Sequence, residues 1–352
     1  MIVLGLESSC DETAAAIVDD GLTVRSSVVS SQADLHAEYG GVVPEIAGRA
    51  HVERVMPVIQ KALSDAGLSL DHIDALAVGH RPGLIGSLLV GVSAAKTLAW
   101  SLGKPLVGVD HVHAHLWAAL LERSRTDLAD AFPALGLVVS GGHTAIYRLD
   151  SPTDLVRLGS TIDDALGEAY DKVASMLGLD YPGGPQLDQL AQDPSADATR
   201  FDLPYSHLGK GSLDFSFSGL KTAALYAIRG VPRPKNEGGG FPRELADFPD
   251  TDRRDLAAAF QETAATTVSR KLKRAAETFE PRSLIAGGGV TANSRLRAEL
   301  DTFARTHKLR LFLPPMRFCV DNAAMIAGLG HELLAAGEDH GITLRPVPTT
   351  AC

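Results

Sequence analysis

Cysteine is scarce in this chain. Cys10, Cys319 and Cys352 are the three in 352 residues, too few and too scattered for a disulfide framework. A reducing, cytoplasmic setting is expected. Long apolar runs are also lacking. No stretch of 18 or more consecutive apolar residues occurs, so no membrane-spanning helix is expected and no membrane partner. Glu7, Asp11 and Glu12 interrupt the N-terminal segment where a signal peptide would need its apolar stretch. Positive charge is in deficit, with a formal net charge of -10. Grip on a phosphate backbone comes mainly from Lys and Arg displacing counterions. A nucleic-acid partner would therefore need a local basic patch or a second subunit.

The length exceeds one ordinary core and suggests two domains. The chain opens on an apolar run, Ile2 to Glu7, followed by the polar turn Ser8-Ser9-Cys10-Asp11-Glu12. A strand from Thr13 to Val18, a turn at Asp19-Asp20-Gly21 and a β-branched run from Leu22 to Ser30 come next. Residues 135–161 repeat the plan: Leu135 to Val139, the turn Ser140-Gly141-Gly142-His143, Thr144 to Leu149, then Leu155 to Thr161. After each unit a strand leads through a Gly-containing turn into a helix. In the first half Ala75 to Val78 leads into Ile85 to Ser101. In the second, Ser283 to Ala286 leads into a helix from about Ala292 to His307. Two duplicated α/β lobes, each opening with a hairpin, are the plan of the actin-like ATPase and sugar-kinase (ASKHA) fold, in which both hairpin turns face a nucleotide across a cleft. The first lobe is expected to span residues 1–107 plus about 318–340. The second takes 108–317, with a helical insertion and a mobile Pro/Gly-rich loop at 231–252. The tail after Gly341, with Pro346 and Pro348, reads as irregular.

Within His111-Val112-His113-Ala114-His115, His111 and His115 fall on one helix face and can share a metal. The spacing is that of zinc proteases, but those need Glu directly after the first His, and Val112 stands here. Asp321 is the best third ligand; an ordinary helix N-cap is the bland alternative for it. Two His and one carboxylate leave positions open for substrate oxygens and suit Fe or Zn. Gly287-Gly288-Gly289 follows a strand and opens a helix, a geometry that lets backbone N–H groups approach a nucleotide. It is neither a dinucleotide fingerprint nor a P-loop. Ser140-Gly141-Gly142 and Tyr181-Pro182-Gly183-Gly184-Pro185 are two further compact turns. Asp11 and Glu12 in the first hairpin turn are either solvated turn residues or carboxylates aimed at the cleft. Asp163 reads as a helix cap and Asp171 as a partner for ribose hydroxyls. Asp214 to Thr222 alternates aromatic and small polar residues before turning helical.

These segments resemble the universal tRNA N6-adenosine threonylcarbamoyltransferase family, the catalytic subunit called TsaD in bacteria and formerly classed as an O-sialoglycoprotein endopeptidase. The matching stretches are Gly5 to Thr13, Leu35 to Glu45, Pro82 to Gly91, His111 to His115, Val139 to Thr144, Asp163 to Lys172, Tyr181 to Pro185, Asp214 to Thr222, Gly287 to Asn293 and Cys319 to Asn322. They run in order across nearly the whole chain. The resemblance implies an actin-like fold and one divalent metal on His111, His115 and Asp321, Fe2+ first and Zn2+ second. It implies threonylcarbamoyl-AMP held by Val138, Val139, Ser140, Gly141 and Gly142 with Asp171, Gly184, Asp188 and Asn293. The acceptor would be adenosine 37 of tRNAs reading codons that begin with A. The partners would be a degenerate paralogue and a small ATPase. Three departures stand out: His80-Arg81 precedes Pro82-Gly83 where relatives carry a small residue and Gly, putting bulky side chains at a cleft-facing turn; His113 takes a position often acidic, where it could compete as a ligand; and the 231–252 loop is longer than usual.

The chemistry implied is acyl transfer to an exocyclic amine, with Asp11 or Glu12 as proton acceptor. A small-molecule kinase of the same fold and a non-enzymatic scaffold that docks through the apolar Ile85–Trp100 helix are the competing readings. Basic residues gather in the second half at Arg270, Lys271, Lys273 and Arg274, then Arg295, Arg297, Arg305, Lys308 and Arg310. Helical charge runs are usually solvated faces, but these are the candidates for phosphate contact.

Overall fold

The computed structural model describes residues 1–349 other than 207, 210, 235, 237 and 238. Cys352 and parts of the expected loop and tail thus lie outside the described residues. The first sheet holds β1 (Ile2–Glu7), β2 (Glu12–Asp19), β3 (Thr23–Ser31), β4 (Ala75–Arg81) and β5 (Leu106–Asp110), in the order β3-β2-β1-β4-β5. Among them run α1 (Ala33–Ala37), α2 (Pro44–Ala66) and α3 (Ile85–Leu102), and β5 passes directly into α4 (His111–Ala118). After α5 (Arg125–Ala129) come β6 (Ala134–Val139), β7 (Thr144–Leu149), β8 (Leu155–Ser160), α6 (Leu166–Met176), α7 (Gly183–Ala191), α8 (Ser218–Arg229), α9 (Asp250–Ala276), β9 (Ser283–Gly287), α10 (Ser294–His307), β10 (Arg310–Phe312) and α11 (Ala323–Ala335). The second sheet runs β10-β9-β6-β7-β8.

The two sheets share one plan. β1 pairs antiparallel with β2 and parallel with β4, and β6 pairs antiparallel with β7 and parallel with β9. This is the two-lobed actin-like α/β fold. The central strands β1, β4 and β6 are almost wholly buried and correspondingly apolar. The edge strand β3, rich in Ser and Thr, is largely open to solvent. α2 starts on Pro44 and stops at Gly67, whose φ of 66° supplies the left-handed C-cap.

One core lies between the sheets. α4 and α11 form its middle layer, with Val112, Leu116, Trp117, Met325 and Ile326 packed against Val3, Ala77 and Val109 of one sheet and Val138 and Tyr147 of the other. Two further cores fill the outer faces, one around Leu4, Leu6, Ile59 and Leu76, the other around Leu137, Tyr170 and Phe260. Burying each such side chain contributes about 1.5–3 kcal/mol relative to leaving it exposed. The middle layer matters most for function, because it brings the start of α4 and the turn before α11 to one point.

Several expectations need correction. Gly289–Ala292 is a separate 3-10 turn, so α10 begins at Ser294 rather than Ala292. Asn322, not Asp321, caps α11, accepting from Met325 N–H; Asp321 is therefore free of the capping role. Asp163 does not cap its own following helix; its carboxylate takes Phe217 N–H and the Ser216 and Ser218 hydroxyls at the start of α8. The Pro/Gly-rich stretch ends inside α9, and Arg243 is tied back to the Arg229 and Ala227 carbonyls. The tail is irregular yet anchored, since Lys96 donates to the Leu344 carbonyl and Val347 N–H to that of His80. α3 is long and apolar enough, by length and composition alone, to cross a membrane. Here it buries Leu88, Gly91, Val92, Ala95 and Ala99 within the first lobe.

Candidate active site and metal centre

A cavity of about 1160 Å³ lies between the lobes. Its wall takes Cys10, Asp11 and Glu12 from the β1–β2 turn, Ser140, Gly141 and Gly142 from the β6–β7 turn, Asp171 from α6, and His111 with Asp321. The sequence-predicted hairpin turns thus face each other across it. Val138, Val139, Gly184, Asp188 and Asn293 are not among the residues that line it.

The metal-ligand candidates converge. Asp110 ends β5 and caps α4 by accepting from Val112 and His113 N–H at 3.0 and 3.3 Å. This fixes the helix so that His111 and His115, one turn apart, face the turn before α11. Asp321 Oδ1 lies 3.5 Å from His111 Nε2 and 3.3 Å from His115 Nε2. Ligands sharing one tetrahedral ion at ordinary bond lengths stand about 3.4 Å apart. His115 is fully buried, and neither ring nitrogen has a hydrogen-bond partner; Nε2 is within ion-pair reach of Asp321 but off the line of a hydrogen bond. An orphaned buried imidazole is costly, and a cation at the triad would satisfy it. The donor set therefore fits a divalent metal.

The next layer orients these ligands. Glu7, buried at the end of β1, accepts from His111 Nδ1 at 3.1 Å and from Ser9 N–H at 2.5 Å. The Ser9 hydroxyl is also 3.2 Å from His111 Nδ1. A proton on Nδ1 leaves Nε2 as the ligating lone pair. Glu7 was missed as a site residue; its only local signal is a carboxylate ending an otherwise apolar, buried strand. His113 points away and meets Tyr147 edge-on at 5.4 Å between ring centroids, so it does not compete as a ligand. Val112 is 1% exposed in the core, and the zinc-protease arrangement has no base here.

Two glycines are required by close approach. A Cβ at Gly287 would meet the His115 carbonyl oxygen at 1.9 Å, and one at Gly288, where φ is 97°, would meet that of Val139 at 2.4 Å. This tight join of β9, β6 and α4 lets the Gly-rich turn sit beside the metal helix.

The cavity's electrostatics are dominated by carboxylates. Burial would strip the His111 proton, but Asp321 and Glu7 override it and push its pKa up to about 10. Burial likewise opposes ionisation of Asp321, yet His111 and His115 hold its carboxyl far below the ordinary range. Burial, then Asp321 and Asp11, push Glu12 up to about 9. Burial and then the Asp11 charge also raise the Cys10 thiol. His143, on the facing turn, is lowered to about 4 by burial and then by His111 and His115. So much negative charge around two imidazoles is an environment built for a cation.

On the opposite wall, Asp171 accepts from Gly183 and Gly184 N–H, both at 3.0 Å, and holds the start of α7. Asp188 accepts from Ser294 N–H at 3.1 Å and its hydroxyl at 2.7 Å. Asn293 caps α10 through Leu296 N–H and donates to Gln261. Part of the expected basic patch is engaged within the chain. Arg295 pairs with Glu262 and Glu299, Arg305 with Asp301, Arg310 with Asp127, and Arg297 donates to the Pro314 carbonyl.

The chain is similar to known proteins over its whole length. It is 48% identical over 358 residues to the tRNA N6-adenosine threonylcarbamoyltransferase of Sorangium cellulosum, covering 100% of this chain and 97% of that one. Against the enzyme of that name from Trichlorobacter lovleyi it is 50% identical over 337 residues, covering 96% and 93%. At the level of fold alone, HypF of T. kodakarensis matches with a TM-score of 0.60 at 15% identity, covering 97% of this chain and 49% of that one. Component A of the Acidaminococcus fermentans (R)-2-hydroxyglutaryl-CoA dehydratase matches with a TM-score of 0.52 at 11% identity, covering 95% and 99%. Residues 23–328 match the family model TsaD, tRNA N6-adenosine threonylcarbamoyltransferase, and the chain belongs to that family of tRNA-modifying transferases.

Proposed function

We propose that the chain moves the threonylcarbamoyl group of threonylcarbamoyl-AMP onto N6 of adenosine 37, beside the anticodon, in tRNAs reading codons that begin with A, and releases AMP. The observation that carries this reading is one large interlobe cavity with a His-His-Asp triad on one side and a Gly-rich hairpin turn on the other. Its volume exceeds the ~300–1,000 Å³ of ordinary small-molecule sites, which suits an adenylate together with an incoming base. Residues 1–107 with about 318–340 form one lobe in this reading and 108–317 the other.

In the reaction the N6 lone pair attacks the carbamoyl carbon. The bond from that carbon to the phosphate oxygen breaks, its electrons leave with AMP, and the N6 proton passes to a carboxylate. Asp11 or Glu12 in the first turn would be that carboxylate. Val138, Val139, Ser140, Gly141 and Gly142 would hold the AMP portion, with Asp171 and Gly184 opposite. Asp188 and Asn293 would act by fixing the start of α10. His111, His115 and Asp321 would hold one divalent cation, Fe2+ before Zn2+, and when bound it supplies positive charge beside the phosphate and carbonyl oxygens. A degenerate paralogue and a small ATPase would complete the system. The exposed apolar side chains of Val52, Met56, Ile85 and Leu89 on α2 and α3 are the face we assign to the paralogue. Mass analysis of nucleosides from tRNA incubated with the protein, its partners and threonylcarbamoyl-AMP tests the reading; unmodified adenosine 37 throughout would refute it.

A further inference from the structure

A second recess, of about 130 Å³, lies outside the cleft, with Tyr205, Ser206, Leu208 and Gly209 on one side and α9 on the other. It shares no lining residue with the interlobe cavity. Arg270, Lys271 and Arg274 converge on it from α9, and Tyr205 and Ser206 close the other side. We propose that this recess is a phosphate-binding pocket and that its occupant is a backbone phosphate of the RNA substrate. The RNA assignment rests on the function proposed above.

Three observations support it. First, the cations are uncompensated. Among the described residues Arg270, Lys271 and Arg274 form no ion pair, whereas most other cations of the second lobe are paired with carboxylates. On a chain of net charge -10 such a concentration is against the trend. Arg270 and Arg274 are also one helical turn apart, where like charges repel. Second, Lys271 is only 6% exposed, yet its ammonium meets just the Ser212 carbonyl, at 2.8 Å, and Arg274 shares that acceptor at 3.0 Å. Buried charges are ordinarily paired. Burial and Arg274 lower its pKa, with Asp214 the one opposing charge, and the Asp214 carboxylate is already engaged by Ser160 N–H and the Ser212 hydroxyl. Third, the Ser206 hydroxyl oxygen is buried with no hydrogen-bond partner among the described residues. An anion in the recess would give all of these groups a partner.

The geometry favours RNA backbone over a free nucleotide. The recess is well under the ~300–1,000 Å³ that encloses a whole small molecule, so it takes a phosphate and leaves its substituents outside. The Arg270 guanidinium carbon lies over the Tyr205 ring, 3.8 Å from its centroid. That stacking pre-orients an exposed guanidinium at the rim.

The test uses the full chain and an unmodified tRNA transcript, with affinity measured across a salt series. Arg270→Gln with Arg274→Gln should flatten the slope of log affinity against log salt by about 1.4 to 1.8, equally for different tRNA sequences. Lys273→Gln, on the same helix but outside the recess, should change it less. If the double variant melts early, Tyr205→Leu, which removes the platform under Arg270, should still weaken binding. Inorganic phosphate at constant ionic strength should compete with tRNA on the wild type and lose that effect in the variant. A phosphate effect that depends on Arg270 and Arg274 while the tRNA slope stays unchanged would make this a free-anion site and overturn the RNA assignment. An unchanged slope with no phosphate effect would overturn the pocket altogether. Threonylcarbamoyl transfer separates the two proposals. An active enzyme whose KM for tRNA ignores the variant sinks the pocket alone, and an inactive wild type whose salt slope responds sinks the transfer reaction alone.

Discussion

Replacing Glu7 by Gln tests the layer behind the metal ligands. The Glu7 carboxylate is buried, and its two oxygens serve different partners, Oε2 accepting from His111 Nδ1 at 3.1 Å and Oε1 from Ser9 N–H at 2.5 Å. Gln keeps the shape but removes the charge. It can still offer its carbonyl oxygen to one partner, while its NH2 group then faces a second donor. Even where the amide oxygen turns to His111, the bond is no longer charge-assisted, so the hold on its Nδ1 proton and Nε2 lone pair weakens. Loss of such a partner costs about 10- to 100-fold in metal affinity, or about 1.4 to 2.7 kcal/mol at 1.36 kcal/mol per tenfold. A competition titration of Fe2+ or Zn2+ against a chromophoric chelator measures this directly. Gly79→Ala provides a second route, because a Cβ there would meet Glu7 Oε2 at 2.5 Å and push the carboxylate aside. Both variants should weaken metal binding while remaining folded. Wild-type metal affinity in Glu7→Gln would show that Glu7 is a packing residue and that His111 is oriented by Ser9 alone.

His111→Ala, His115→Ala and Asp321→Ala should each abolish stoichiometric metal binding, read by elemental analysis, with circular dichroism unchanged; full occupancy in any of them removes that residue from the site. Gly142 faces open space, with no atom within 4 Å of an added Cβ, so a bulky replacement should fold normally yet weaken AMP binding by at least ~1 kcal/mol in calorimetry. Asn293→Ala should weaken AMP binding too, but with a matching loss of stability of about 1 kcal/mol, because it removes the α10 cap; wild-type AMP affinity in both variants counts against the cleft. Asp163→Asn should lower stability at neutral pH. Burial works against the Asp163 carboxylate, but hydrogen bonds from Ser216, Phe217 and Ser218 hold its pKa below the ordinary value. Its contribution is thus present above the unfolded pKa of about 3.9 and lost as pH falls through the lower folded value. The gap between wild-type and variant melting curves should close below about pH 4, and a gap that widens on acidification would reverse the assignment.

What the sequence disclosed divides along physical lines. Strands of both hairpins were legible because an apolar run ended by a polar turn is a local signal; β1 and β7 fall on the expected residues and the others within a few. His111 and His115 were legible because a separation of four is a property of one helix. The rest depends on partners remote in the chain. Glu7 is 104 residues from the imidazole it touches, Asp163 is 54 from the backbone N–H it accepts, and Asn293 is 32 from Gln261. Nothing in the spacing marks such pairs. The basic patch shows the same limit from the other side. Arg295, Arg305 and Arg310 look alike with Arg270 and Arg274 in sequence, yet the first three are neutralised by carboxylates and the last two are not.

The substitution of His80-Arg81 for a small residue and Gly raised the prospect of bulky groups intruding on the nucleotide cleft. Their partners argue otherwise. His80 is anchored by its Nδ1 to the Arg345 carbonyl at 3.0 Å, and Arg81 Nε lies 3.2 Å from Asp110 Oδ2, close but off the line of a hydrogen bond. Both side chains line a separate recess that also takes His113 and His340, while Gly83 and Leu84 just beyond them line the main cavity. The strand therefore turns these two residues away before the cleft begins. Arg81 also faces the carboxylate that caps α4, so its charge sits against the start of that helix rather than in the interlobe cavity. The His113 departure opens on the same recess. The three positions can thus be accommodated together, by one cluster of cationic and imidazole groups around Asp110, without altering the wall of the interlobe cavity.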